Sequence, residues 1–167
     1  MFYQILGWPR SRTAWLANYL TYGNSFCFHE GIALKAQKRL RTTQEYRELF
    51  NLYAGKYQYV GDANTLALSR QKYIIPKARV VVIERNKKEV EESTYQIGYL
   101  VDIPEIVEYP YNELLRIKYD EINDNLLDIW RFCLPGVPYC KEREYLLKDL
   151  NIQVNNVADY SDINMDV

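Results

Sequence analysis

Residues 7–16, GWPRSRTAWL, follow the apolar opening MFYQIL (residues 1–6) and lead into apolar pairs, Trp15/Tyr19 and Leu16/Leu20, that recur at helical spacing. A buried strand (residues 2–6) that turns tightly into a helix start exposes backbone N–H groups at the positive end of the helix dipole, an arrangement that binds anions. Arg10, Ser11, Arg12 and Thr13 add two cations and two hydroxyls to that turn. The Gly-Lys-Ser/Thr ending of a nucleotide-hydrolase P-loop is missing. By spacing alone, the same residues also describe an ordinary strand-to-helix turn, with Thr13 as its cap and Trp15 in the core.

The alternation continues beyond this stretch. SFCFH (25–29), YQYVG (57–61), ARVVVIE (78–84) and LLRIKY (114–119) read as further strands. The run at 78–84 is β-branched without polar alternation, which predicts burial on both faces. Between the strands, Thr42 and Glu45 have capping-box spacing and predict a helix from about Thr43. A second helix is expected near residues 64–73. A third opens at Asn86, with Glu89 in capping-box position, and runs to about Leu100. Residues 123–134 and 140–150 read as two more. Parallel strands need crossovers, so this order predicts an α/β fold of three layers, α/β/α, around a central parallel sheet. Residues 1–155 form the expected domain and the polar, acidic residues 156–167 a loose tail.

Composition narrows the function. With 167 residues and 48% hydrophobic content, the chain suffices for one domain with a substantial core. The net charge is −1 and the 21 basic residues are dispersed, so no block suits a nucleic-acid backbone. No apolar run approaches the roughly 20 residues that span a bilayer, and no signal-peptide order opens the chain. A soluble, cytoplasmic protein without a membrane or nucleic-acid partner is expected. Cys27, Cys133 and Cys140 lack CxxC spacing and read as reduced thiols, the first two in the core. The 16 tyrosines show no repeat and read as packing residues.

Ligands of such sheets bind beyond the carboxyl ends of the strands. The second strand ends in CFHEG, which brings His29, the single histidine, and Glu30 to the edge that carries the loop. His29 titrates near neutrality when unperturbed, whereas Glu30 needs burial to act as a base. Asp62, in VGDAN after the third strand, reads first as a turn or cap residue and is a lesser candidate for orienting an acceptor or Arg10. Arg85 ends the buried strand, where a guanidinium can grip a phosphate bidentately, and Ser93 lies two helical turns on. The alternative is an ion pair of Arg85 with Glu89 or Glu92, and an exposed serine.

PRSRTAWL resembles the loop of sulfotransferases that use 3'-phosphoadenosine 5'-phosphosulfate, Pro-Lys/Arg-Ser-Gly-Thr-Thr-Trp/Leu-Leu after the first strand. VVVIERNKKEVEEST resembles their second signature, a strand ending in Arg followed eight positions later by Ser. IKYDEI resembles a late strand ending in Tyr-Glu-Asp-Leu, with Asp120 and Glu121 reversed. The resemblance covers about residues 1–134. It implies a P-loop NTPase-like fold and a metal-free reaction, with Arg10, Ser11, Thr13 and Ala14 around the 5'-phosphosulfate and Trp15 toward the adenine. Arg85 and Ser93 would hold the 3'-phosphate, and either His29 or Glu30 would take the acceptor's proton. Two departures stand in the loop. Arg12 replaces its glycine, so a required positive φ would force a different turn unless Arg12 serves as a third cation; Ala14 replaces a threonine. The chain is also shorter than typical members, which reduces the acceptor-binding insertions. The expected activity is sulfuryl transfer to a hydroxyl or amine acceptor. The alternatives are a P-loop kinase or hydrolase, and an inactive nucleotide-binding or interaction protein on the same scaffold.

Overall fold

In the computed structural model, which describes residues 1–96 and 113–148, the elements run β1 (Phe2–Gly7), α1 (Thr13–Leu20), β2 (Ser25–His29), β3 (Ala33–Leu34), β4 (Arg39–Leu40), α2 (Thr43–Ala54), β5 (Tyr59–Asn64), β6 (Arg79–Glu84), α3 (Lys87–Tyr95), β7 (Leu114–Lys118), α4 (Leu126–Cys133) and α5 (Lys141–Lys148). Short 3-10 turns occupy Ala67–Ser69, Gln71–Tyr73 and Tyr119–Glu121. Five strands make one parallel sheet in the order β2-β5-β1-β6-β7, and β3 and β4 form a small antiparallel pair. Adjacent residues of β6 bury to opposite faces. Val81 and Ile83 pack with α1 and α4, whereas Val80 and Val82 pack with Tyr46 and Phe50 of α2 and with Val90 of α3. The three layers follow from that two-sided burial. No helix among the described residues is long and apolar enough to cross a membrane.

Several boundaries differ from the sequence reading, each for a local reason. The third strand begins at Tyr59 rather than Tyr57, because the Tyr57 amide closes the end of α2 on the Tyr53 carbonyl and its ring stacks on Tyr53. The helix expected near 64–73 is two 3-10 turns, the first started by Asn64 Oδ1, which accepts from the amides of Leu66 (2.7 Å) and Ala67 (2.9 Å). Asn86 caps α3 through the Lys88 amide alone, while Glu89 turns to Arg85 Nε at 3.6 Å, so no capping box forms there. The extension of α3 to Leu100 and the tail at 156–167 lie outside the described residues.

Gly61, the last residue of the strand expected at 57–61, sits inside β5, opposite Tyr3 of β1. The Tyr3 ring passes across it to reach Ser25 Oγ of β2 at 3.1 Å. A Cβ at Gly61 would stand 2.1 Å from that ring, so the strand needs glycine for close approach, not for turning. Gly61→Ala is expected to cost about 1–3 kcal/mol in chemical denaturation. Gly55→Ala, at the end of α2 with ordinary helical φ and its nearest contact at 3.5 Å, should be neutral or slightly stabilising.

The capping box at Thr42 forms as expected: the Glu45 amide donates to Thr42 Oγ1 (3.1 Å), and Glu45 Oε2 accepts from the Thr42 amide (2.8 Å). Arg39 grips the same carboxylate through both Nη atoms and, with the Thr42 amide, holds its pKa down to about 2 from the ordinary 4.5. A depressed folded-state pKa contributes stability above 4.5 that is lost as pH falls toward 2. Acid denaturation of Glu45→Gln should show a shallower loss of stability across that window than the parent protein.

Candidate functional site

The chain leaves β1 through α1 toward β2 at one edge of the sheet, and leaves β6 through α3 toward β7 at the other. The exits therefore diverge between β1 and β6, the place where open α/β sheets form a ligand crevice. Arg10 follows β1 and Arg85 follows β6.

These two segments touch. Arg85 Nη1 donates to the Arg10 carbonyl at 2.6 Å, and Arg10 Nε donates to Ser93 Oγ of α3 at 3.3 Å. The Arg85 guanidinium also lies over the Tyr119 ring at 4.0 Å, and its side chain is 13% exposed. Arg85 Nε is buried without a hydrogen-bond partner among the described residues; the Glu89 carboxylate is close enough to pair but not to accept. Ser11, fully buried in the loop, likewise has a hydroxyl without a partner among those residues. Buried donors are rarely left so, and a multiply charged anion supplies the acceptors they need.

The loop's backbone is unusual. Arg10 (φ 67°) and Arg12 (φ 59°) both adopt the left-handed conformation, which costs a non-glycine residue about 1–2 kcal/mol. Arg12 therefore itself takes the left-handed geometry that a glycine adopts freely. Its side chain is anchored by Asn123 Oδ1 at 2.8 Å and lies over the Trp15 ring at 4.4 Å. Burial pushes its pKa down, the mark of a cation taken partly out of water. Thr13 is the first residue of α1 rather than its cap, and Arg12 stands in the cap position without a side-chain cap bond. Ala14 is half-buried on the first turn. Trp15, placed toward an adenine by the resemblance, is instead a core residue: it is 2% exposed, stacked on Tyr19, with Nε1 donating to the Leu147 carbonyl.

On the other side of the loop, His29 Nε2 stands 3.4 Å from Thr13 Oγ1 and 4.0 Å from Glu30 Oε1. His29 is partly exposed, whereas Glu30 is buried at a positive φ of 57° and its Oε1 accepts from the Thr65 amide (3.0 Å) and hydroxyl (2.8 Å). Asp62 lies inside β5, not after it, and is fully buried. It faces neither Arg10 nor an open site. It accepts from Tyr46 Oη (2.7 Å), the Gly31 amide (2.9 Å) and Asn64 Nδ2 (2.9 Å), and desolvation raises its pKa above the usual range despite those donors. Sequence reasoning missed Thr65 and Asn123. Neither has a motif, and Asn123 meets Arg12 across 111 residues. Cys27 and Cys133 are buried, and all three cysteines are free.

No family model, no curated protein and no solved structure matches the chain.

Arg12→Gly and Arg12→Ala both remove the contacts with Asn123 and Trp15, but only glycine relieves the left-handed backbone. The glycine variant should therefore be the more stable of the two by about 1 kcal/mol in denaturant melts.

Proposed function

We propose that the chain transfers a sulfuryl group from 3'-phosphoadenosine 5'-phosphosulfate to an acceptor hydroxyl or amine, on a P-loop NTPase-like scaffold. The observation that carries this reading is the junction of Arg10, Arg85 and Ser93, in which the two segments that resemble the family's signatures meet 83 residues apart in sequence. A donor with phosphate at two positions suits that junction, since it needs one cationic hydroxyl-bearing cluster at each end. The central place of β1 in a parallel sheet supports the same assignment. A P-loop kinase or hydrolase is less well supported, because the lysine that reaches the β/γ-phosphates and the following magnesium-binding hydroxyl are missing.

When bound, the donor supplies an activated sulfuryl group whose leaving oxygen belongs to a phosphate. Ser11, Thr13 and the loop amides orient that end, and Arg85 with Ser93 hold the 3'-phosphate. His29 Nε2, beside Thr13 at the loop, accepts the proton of the attacking hydroxyl as its oxygen bonds to sulfur. The sulfur–oxygen bond to the phosphate breaks in line, and Arg10 offsets the charge left on that oxygen. Glu30 is better suited to support His29 than to replace it, since its carboxylate is buried and held by Thr65.

In this reading Arg85→Ala weakens binding of adenosine 3',5'-bisphosphate by about ten- to a hundredfold, the range for loss of a hydrogen bond to a charged group. Adenosine 5'-phosphate should lose little. Isothermal titration of both nucleotides against both proteins measures the ratio, and equal losses contradict the assignment. Tight bisphosphate binding with no transfer to any acceptor would instead favour an inactive scaffold, which the engagement of Arg12 by Asn123 and Trp15 makes worth testing.

A further inference from the structure

Asp62 is a carboxylate buried completely in the central part of the sheet, beneath the turn that carries the only histidine. Burying such a group is costly unless its hydrogen bonds are made, and here two of the three lead to the Glu30 turn. Oδ1 takes the Gly31 amide, so the peptide that follows Glu30 is held from below; Arg41 Nε donates to the Gly31 carbonyl at 2.9 Å and holds the same residue from the other side. Oδ2 takes Asn64 Nδ2, and Asn64 in turn starts the turn after Thr65, the residue whose amide and hydroxyl bind Glu30. The remaining bond, from Tyr46 Oη, joins Asp62 to α2. Gln4 of β1, the register partner of Asp62, donates to Tyr46 Oη at 3.1 Å and locks the network to the central strand.

A Cβ on Gly31 would stand 3.2 Å from Asp62 Oδ2, so the carboxylate and this backbone are in close contact as well as hydrogen-bonded. Glu30 itself is held at φ 57°, a conformation that glutamate adopts only when its surroundings over-determine it. The bonds from Asp62 and Arg41 to Gly31, and from Thr65 to Glu30, are those surroundings.

We propose that Asp62 is a positioning residue: through Gly31 and Asn64 it sets the left-handed Glu30 turn, and thereby fixes the distance between His29 and Thr13. The contact network stands on its own, while its service to sulfuryl transfer rests on the function proposed above. Asp62 touches neither donor nor acceptor in this assignment.

The chain's single histidine gives one set of imidazole signals, so NMR reads its position directly. In the parent protein, the His29 ring should show a nuclear Overhauser contact to the Thr13 side chain. Asp62→Leu should remove that contact, move the imidazole signals and speed exchange of the Gly31 amide by about ten- to a hundredfold, as expected for loss of a hydrogen bond to a buried carboxylate. Asp62→Asn, which can still accept from Gly31 but turns an N–H toward Asn64 Nδ2, should recover the contact in part. Phe50→Leu, a core change on α2, controls for lost stability and should leave the contact intact. If Asp62→Leu does not fold, Asp62→Ser takes its place. It keeps a polar group too short to reach Gly31, and the same loss is expected. A folded Asp62→Leu or Asp62→Ser variant with unchanged His29 signals and Gly31 protection overturns the proposal. Titration of the parent with adenosine 3',5'-bisphosphate separates the two claims: absence of binding removes the function and leaves the NMR result standing.

Discussion

Arg85 donates to the backbone carbonyl of Arg10, and through that bond the end of the best strand in the chain is tied to the loop after the first strand. The pairing is unusual in kind. One arginine holds another's backbone, and the second arginine's side chain reaches Ser93. Two guanidinium groups are thereby concentrated at the place where the sheet's connections diverge, with Arg12 nearby on the same loop. The only carboxylate within ion-pair distance of these three among the described residues is Glu89, loosely placed at 3.6 Å and largely exposed. Like charges collected in this way repel unless an anion joins them, and the buried donors Ser11 Oγ and Arg85 Nε have no acceptor among the described residues. The proposed anion site would meet all of these features at once.

The same edge of the sheet stores backbone strain. Arg10, Arg12 and Glu30 all adopt positive φ without being glycine, and all three lie on turns leaving strand ends on one side of the molecule. Each is held by contacts distant in sequence: Arg10 by Ser93 and Arg85, Arg12 by Asn123, Glu30 by Thr65. Strain of this sort persists where the surroundings fix a geometry tightly, and fixed geometry is what a group-transfer site requires. The apolar layers supply the rigidity. Packing of both faces of β1 and β6 leaves their ends little freedom, so the loops are displayed from a firm base.

Much of this was legible in the chain. The β-branched run Val80–Ile83 announced a strand buried on both sides, and Thr42 with Glu45 announced the start of α2, because both patterns are enforced by nearest neighbours. The loop and the strand-end arginine could be picked out for the same reason. The errors arose where a distant partner outweighed local preference. Glu89 left its capping position for Arg85, and Asp62, placed after the third strand, was drawn into a network spanning β1, α2 and β5. Spacing placed Trp15 in the core while the resemblance turned it toward an adenine, and the core won because Tyr19 and Leu147 offered its ring a stack and its N–H an acceptor. Arg12 bonds to a residue 111 positions away, a contact that leaves no trace in local pattern.

The central claim is that the loop after β1 and the segment from Arg85 to Ser93 form the two ends of one anion site. Backbone amide NMR during a titration with adenosine 3',5'-bisphosphate tests it most directly. The account predicts that the amides of Ser11, Thr13 and Ser93 shift together, with a single midpoint, and that amides at the opposite edge, near Gly23 and Gly55, stay still. Shifts confined to one of the two segments, or a saturable response that spares both, would contradict it.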